Sequence, residues 1–125
     1  MSSTGIVLAP HTRGDTFPYS TVLQGGWTAE QFTGGLKFTL RKKHPASSVT
    51  TDGDADVVAQ ATTQNGQIVA SGTSVAVTIP AEQVTSWPAG KLVWDLQGVI
   101  TGTPNRVYTI SSGVITILPD VTRST

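Results

Sequence analysis

The chain has 125 residues, a net charge of +0 and only 13% charged side chains. That length supports one domain around a single core, and the balanced charge excludes a general nucleic-acid or polyanion binder, which carries a basic excess. With no cysteine in the chain, disulfides, zinc–thiolate sites and thiol nucleophiles are excluded as well.

Residues 1–5 are polar. Residues 5–9, Gly-Ile-Val-Leu-Ala, predict a short edge strand closed by Pro10. Residues 11–15 read as a loop. Residues 16–23 predict a strand with Phe17, Tyr19 and either Val22 or Leu23 facing inward. Pro18 removes a ladder donor there, which marks an edge strand or a break between two shorter pieces. Gly25-Gly26 is a turn, and residues 27–32 predict a single helical turn or an irregular crossover. The clearest strand is 35–42: Leu36, Phe38 and Leu40 alternate with Lys37, Thr39 and Arg41, so one face is buried and one is wet.

Residues 43–54 form a polar loop, the longest irregular segment and a candidate functional one. Residues 55–63 predict a strand. Asn65-Gly66 then carries the strongest short hairpin signal, with 68–70 as the return strand. In 73–80, Val75, Val77 and Ile79 share a face. Residues 81–87 read as one turn of helix, since Pro80 stands where a helix start tolerates proline. The closing hairpin has Leu92, Trp94 and Leu96 on one face of its first strand. A Thr/Gly/Pro/Asn turn follows, and a second strand runs from Val107 to Ile117, broken at Ser111-Ser112-Gly113.

Taken together, about seven to eight strands with turn signals at intervals of about 8–12 residues are the pattern of an all-β sandwich or barrel. The one short helical turn before a strand that carries a large aromatic is common where an Ig-like chain crosses from one sheet to the other, so the expectation is an Ig-like antiparallel β-sandwich. The sandwich is one domain spanning 1–125. The N-terminus lacks the charged and apolar regions of a signal peptide, and no run approaches the about 18 apolar residues of a membrane span. The expectation is a protein made in a cytoplasm, with no membrane partner and no nucleic acid.

Several groups of residues invite a chemical reading. Arg13-Gly14-Asp15 spells an adhesive tripeptide, but Gly14-Asp15 is also a good turn before a strand. Asp52, Asp54 and Asp56 alternate as calcium-loop carboxylates do, yet an EF-hand needs a glycine where Val57 stands and a glutamate where Thr63 stands, so a solvated turn is the better reading. His11 and His44 lack the neighbours of a metal site or a triad and read as exposed loop residues. Arg41-Lys42-Lys43-His44 reads as a solvated strand end. Trp94 belongs to the core by alternation, and Trp87 beside Pro88 reads as a plug at the sheet end. Trp27, between Gly26 and Thr28, is the one candidate exposed aromatic. No phosphate-binding loop and no pair of acid–base carboxylates is present. No enzyme, cofactor or metal is expected.

Four stretches carry a resemblance. They are Gly14-Asp15-Thr16-Phe17, the strand Gly35-Leu36-Lys37-Phe38-Thr39-Leu40-Arg41, the strand Ala89-Gly90-Lys91-Leu92-Val93-Trp94-Asp95-Leu96-Gln97, and the run from Val107 to the closing Pro119-Asp120-Val121-Thr122-Arg123. In this order they resemble small structural proteins of tailed phages and prophages, and the Ig-like N-terminal domain of upper baseplate proteins in particular. The resemblance spans nearly the whole chain, and the closing motif is its most specific part. Baseplate proteins of that group continue into a long C-terminal region, whereas this sequence stops at Thr125.

The resemblance implies a non-enzymatic virion subunit in the tail, as a baseplate, fibre-anchoring or head–tail adaptor-associated part. Its partners would be other phage structural proteins, and it would stand in many copies in a symmetric assembly. Capsid decoration is the alternative placement, and a carbohydrate-binding module using Trp27 is the alternative of another class. The expected partner contacts are Ile6, Val7 and Leu8 near one end and Asp120 and Arg123 near the other.

Overall fold

Alternation of side chains decides which face of each strand turns to the core. The computed structural model describes residues 3–42 and 57–119. One sheet contains β1 (Ser3–Val7), β2 (His11–Thr12), β4 (Gly35–Arg41), β5 (Val57–Thr62), β8 (Gly90–Ile100) and β9 (Arg106–Leu118). Its order is β1-β9-β8-β4-β5, with β2 also on β9. The facing sheet holds β3 (Phe17–Val22), β7 (Ser74–Ile79) and β6 (Ile68–Ser71), in the order β3-β7-β6. The protein is an all-β, Ig-like sandwich. A 3-10 turn (Ala29–Gln31) and one helical turn, α1 (Ala81–Val84), carry the chain across between sheets. No helix among the described residues is long and apolar enough to cross a membrane.

The inward residues are those that alternation predicts. Leu36, Phe38 and Leu40 on β4, Val75, Val77 and Ile79 on β7, and Leu92, Trp94 and Leu96 on β8 are all buried. Their side chains meet in one core. Aromatic rings run through it in sequence: Trp87 lies 5.5 Å from Phe17, Phe17 5.7 Å from Phe38, and Phe38 5.6 Å from Trp94. Trp87 is buried, the plug that its position beside Pro88 predicts. Pro18 sits on β3, an edge strand, where a missing N–H costs the ladder least. Leu23, not Val22, turns inward; Val22 is 58% exposed.

In strand pairing and alternation the structure departs from the sequence reading at four places. First, Asn65-Gly66 does not close a hairpin: β5 pairs with β4, whereas β6 pairs with β7 in the other sheet. The Asn65 carbonyl oxygen of the side chain accepts from the Thr62 and Gln67 N–H groups (3.1 and 2.9 Å), and the Asn65 N–H donates to the Thr62 hydroxyl (2.9 Å). These bonds make a corner that sends the chain across to the facing sheet. The hairpin is made instead by Gly72 and Thr73, with Gly72 at φ 58 and Ser71 opposite Ser74.

Second, β9 is not broken at Ser111-Ser112-Gly113. It runs unbroken, with its irregularity one residue earlier: Leu96 pairs with Ser111 and Gln97 with Thr109, so Ile110 bulges. The bulge shifts the alternation and brings Tyr108, opposite Gly98, onto the inward side.

Third, the N-terminal strand starts at Ser3, and residues 11–15 are not simply a loop. β1 and β2 both run parallel to β9, with Ile6 beside Gly113 and His11 beside Ile117, so the sandwich is antiparallel except along this edge. Between them the Leu8 N–H donates to the Val114 carbonyl, and beyond them the Arg13 N–H donates to the Leu118 carbonyl (both 3.0 Å).

Fourth, Thr39 is not wet. It is 1% exposed, because it stands between Gln60 and Asp95 on its two neighbouring strands and accepts a bond from the Gln60 amide at 3.3 Å.

Gly113 is what admits β1. A Cβ at that position would overlap the Ile6 backbone. Gly113→Ala should therefore cost about 1–3 kcal/mol, in the range of backbone-strain and overpacking substitutions. Removing residues 1–7 should abolish most of that added cost, because the obstructing backbone is gone. Urea unfolding of the four proteins in this cycle checks the expectation; an equal cost in both backgrounds would refute it.

Candidate functional site

The crossover between β3 and β4 builds an aromatic cluster at one end of the sandwich. Its 3-10 turn is anchored to the β6–β7 hairpin: the Ala29 N–H donates to the Gly72 carbonyl (2.7 Å), and the Gly72 N–H donates to the Glu30 carboxylate (3.2 Å). The Thr28 N–H donates to the Gln31 side chain at 2.8 Å, which closes the turn. On the other side the Gly34 N–H donates to the Val99 carbonyl (2.8 Å) and the Thr101 N–H to the Thr33 hydroxyl (3.0 Å). Both sheets therefore hold the segment that carries Trp27 and Phe32.

Phe32 is buried against β8 at Gly98, where a Cβ would overlap its ring. Trp27 stacks on Phe32 with ring centroids 5.1 Å apart and planes at 23°, and meets Tyr108 at 5.4 Å. Trp27 is thus half-buried rather than free-standing. Beside this cluster lies a groove of about 330 Å³, lined by Leu23, Gln24, Trp27, Phe32 and the stretch Val107, Tyr108, Thr109 and Ile110 of β9. None of its lining side chains is charged. Val107 is 56% exposed and Tyr108 36%. Sequence reading finds Trp27 but not its partners. The signal for Tyr108 is the adjacent apolar pair Val107-Tyr108, which breaks a period of two. Phe32 is announced only by the small residue, Gly98, that makes room for it.

The remaining sequence candidates fall elsewhere. Ile6 and Leu8 pack against the core, while Val7 is 75% exposed on the sheet edge. His11 is not an exposed loop residue: its ring stands edge-on to Phe17 at 5.2 Å, and its Nε2 lies 2.9 Å from the Asp15 carbonyl oxygen, to which it donates. Arg13 reaches back toward the Trp87 carbonyl (3.5 Å), and Gly14-Asp15 stands in a turn closed by the Asp15 N–H donating to the Thr12 carbonyl. Lys43, His44, Asp52, Asp54, Asp56, Asp120 and Arg123 lie outside the described residues. Among the described residues no group of three or more His, Asp or Glu side chains is placed to hold a metal ion.

Arg41 is not a solvated strand end. It lies 3.6 Å from the Asp95 carboxylate on the outer face of the larger sheet, with about a fifth of each side chain exposed. Burial pushes the Asp95 carboxyl above its ordinary value, and the nearby charges of Arg41 and then Lys37 offset this only in part. Arg41 and Asp95 form a half-buried ion pair whose burial disfavours the charged carboxylate.

No protein-family model and no curated protein matches this chain.

The Asp95 environment has a pH signature. A carboxyl whose folded pKa is raised binds its proton more tightly in the native state, so its contribution to stability is fully present below the unfolded pKa and is lost as pH rises through the folded one. Asp95→Asn removes that loss. The variant should therefore gain in melting temperature relative to the native protein between about pH 3 and about pH 7. Thermal unfolding at both pH values checks this; a relative loss at neutral pH would mean that the Arg41 attraction outweighs desolvation.

Proposed function

We propose that this protein is a non-enzymatic structural subunit of a bacteriophage virion, acting through protein–protein contacts, with placement in the tail ahead of capsid decoration. The observation that carries the contact-making part is where the exposed valines stand. Val7 is on β1, Val22 on β3, Val69 on β6 and Val107 on the outer part of β9. β1, β3 and β6 are edge strands, and β9 joins them where β1 has not yet begun. Apolar side chains on sheet edges suit a subunit that meets neighbours on several sides.

The virion part rests on the sequence resemblance. Three of its four stretches include β4, β8 and β9, which are consecutive neighbours in the larger sheet. The motif thus follows one continuous surface of the fold. In this reading the partners are other virion proteins, and the subunit is present in many copies.

The test is co-purification. In a lysate from cells in which the gene and its neighbouring phage genes are induced, the chain should sediment with gradient-purified particles and be detected in them by mass spectrometry. Immunogold labelling then separates tail from head. A chain found only in the particle-free supernatant overturns the proposal.

A further inference from the structure

We propose that the outer edge of β9 at residues 106–110 receives an extended segment of a partner chain. The segment adds a strand beside β9 and lays one uncharged apolar side chain into the groove next to Trp27. This inference rests on the contact-making reading above and names its surface.

Two independent features converge on this stretch. The first is backbone. β8 pairs with β9 from Arg106 to Ile117, but β1 begins only at Ser111, so among the described residues 106–110 has a strand on one side alone. A strand edge offers unpaired N–H and C=O groups in a row, which an extended peptide satisfies by pairing. The rest of that edge already accepts strands: β1 and β2 occupy it farther along. The open stretch is the direct continuation of the lane that β1 fills.

The second feature is the groove. Val107, Tyr108, Thr109 and Ile110 line it from β9, with Leu23 and Trp27 across from them. Its volume of about 330 Å³ is at the low end for ligand sites and suits one or two side chains of a peptide. A charged side chain entering it would lose hydration with no opposite charge among the lining residues, so the fitting occupant is apolar. The backbone supplies affinity and the groove supplies selection. A neutral sugar would use Trp27 as a stacking surface, but that ring is stacked on Phe32 and in contact with Tyr108. A sugar also gives no role to the open strand edge, so the peptide accounts for both features.

The probe is a capped heptapeptide of alternating threonine and leucine, titrated into the full chain while amide NMR signals are followed. Saturable shifts centred on residues 106–110 are expected. Two versions of the peptide, N-methylated at alternate amides in opposite phases, separate pairing from simple apolar contact: at least one should bind about tenfold more weakly or not at all. Val107→Asp alters an exposed side chain and should weaken binding about tenfold or more at an unchanged melting temperature. Trp27→Leu is the second variant, read by the same shifts, should Val107→Asp fail to fold.

Binding by both methylated peptides as tight as that of the unmethylated one overturns the proposal. So does a saturable response to N-acetylglucosamine at Trp27 without any response to the peptide, which would assign the groove to a glycan. Peptide binding by a chain that never joins particles would keep this site and sink the virion reading. No peptide binding by the native chain, together with undiminished particle incorporation of Val107→Asp, would do the reverse.

Discussion

Trp94 on β8 faces Gly113 on β9 across the ladder, and β1 packs against the same glycine. The indole lies along β9 and donates its N–H to the Val114 carbonyl at 3.3 Å, while the backbone of β1 approaches so closely at Ile6 that no Cβ would fit. Tyr19 completes the arrangement from the facing sheet: its ring lies 5.1 Å from Trp94 and its hydroxyl 3.3 Å from the Ser111 hydroxyl. Two large residues, Trp94 and Tyr19, and two small ones, Gly113 and Ser111, thereby hold the spacing between sheets, the start of the parallel edge and the position of β3. Close-packed interiors respond to changes of a single methyl group, so this crossing tolerates little change.

Much of the sandwich is legible in the sequence because its strands are buried on one face. The triplets Leu36/Phe38/Leu40, Val75/Val77/Ile79 and Leu92/Trp94/Leu96 state both the strand and its orientation, since a slip of one residue would turn every apolar side chain to water. Partner choice is another matter. Asn65-Gly66 is a turn signal, and a turn is present, but whether two flanking strands pair depends on which sheet buries Ala61 and which buries Ile68. Those contacts are remote in sequence. The parallel run of β1 and β2 is equally hidden, because a short edge strand carries too few residues to declare its direction.

The site divides in the same way. Trp27 stands out by its glycine-flanked position, yet its setting depends on Phe32 and on a bulge at Ile110 that brings Tyr108 round to meet it. A bulge is a property of two strands in register and cannot be read from one. Arg41 and Asp95 illustrate the opposite failing. Each is a polar residue on a face that alternation marks as wet, and the central position of β4 and β8 in the larger sheet draws them together and partly out of water.

The parallel edge has a mechanical consequence. β1 and β9 lie near opposite ends of the chain, run in the same direction and are joined by pairs that extend from Ser3 and Ser111 to Thr12 and Leu118 when β2 is included. Tension that draws the two ends apart slides one strand along the other. The ladder bonds are then loaded in shear, all at once, instead of being peeled open one after another. A sandwich fastened in this manner resists extension when its two ends are pulled apart.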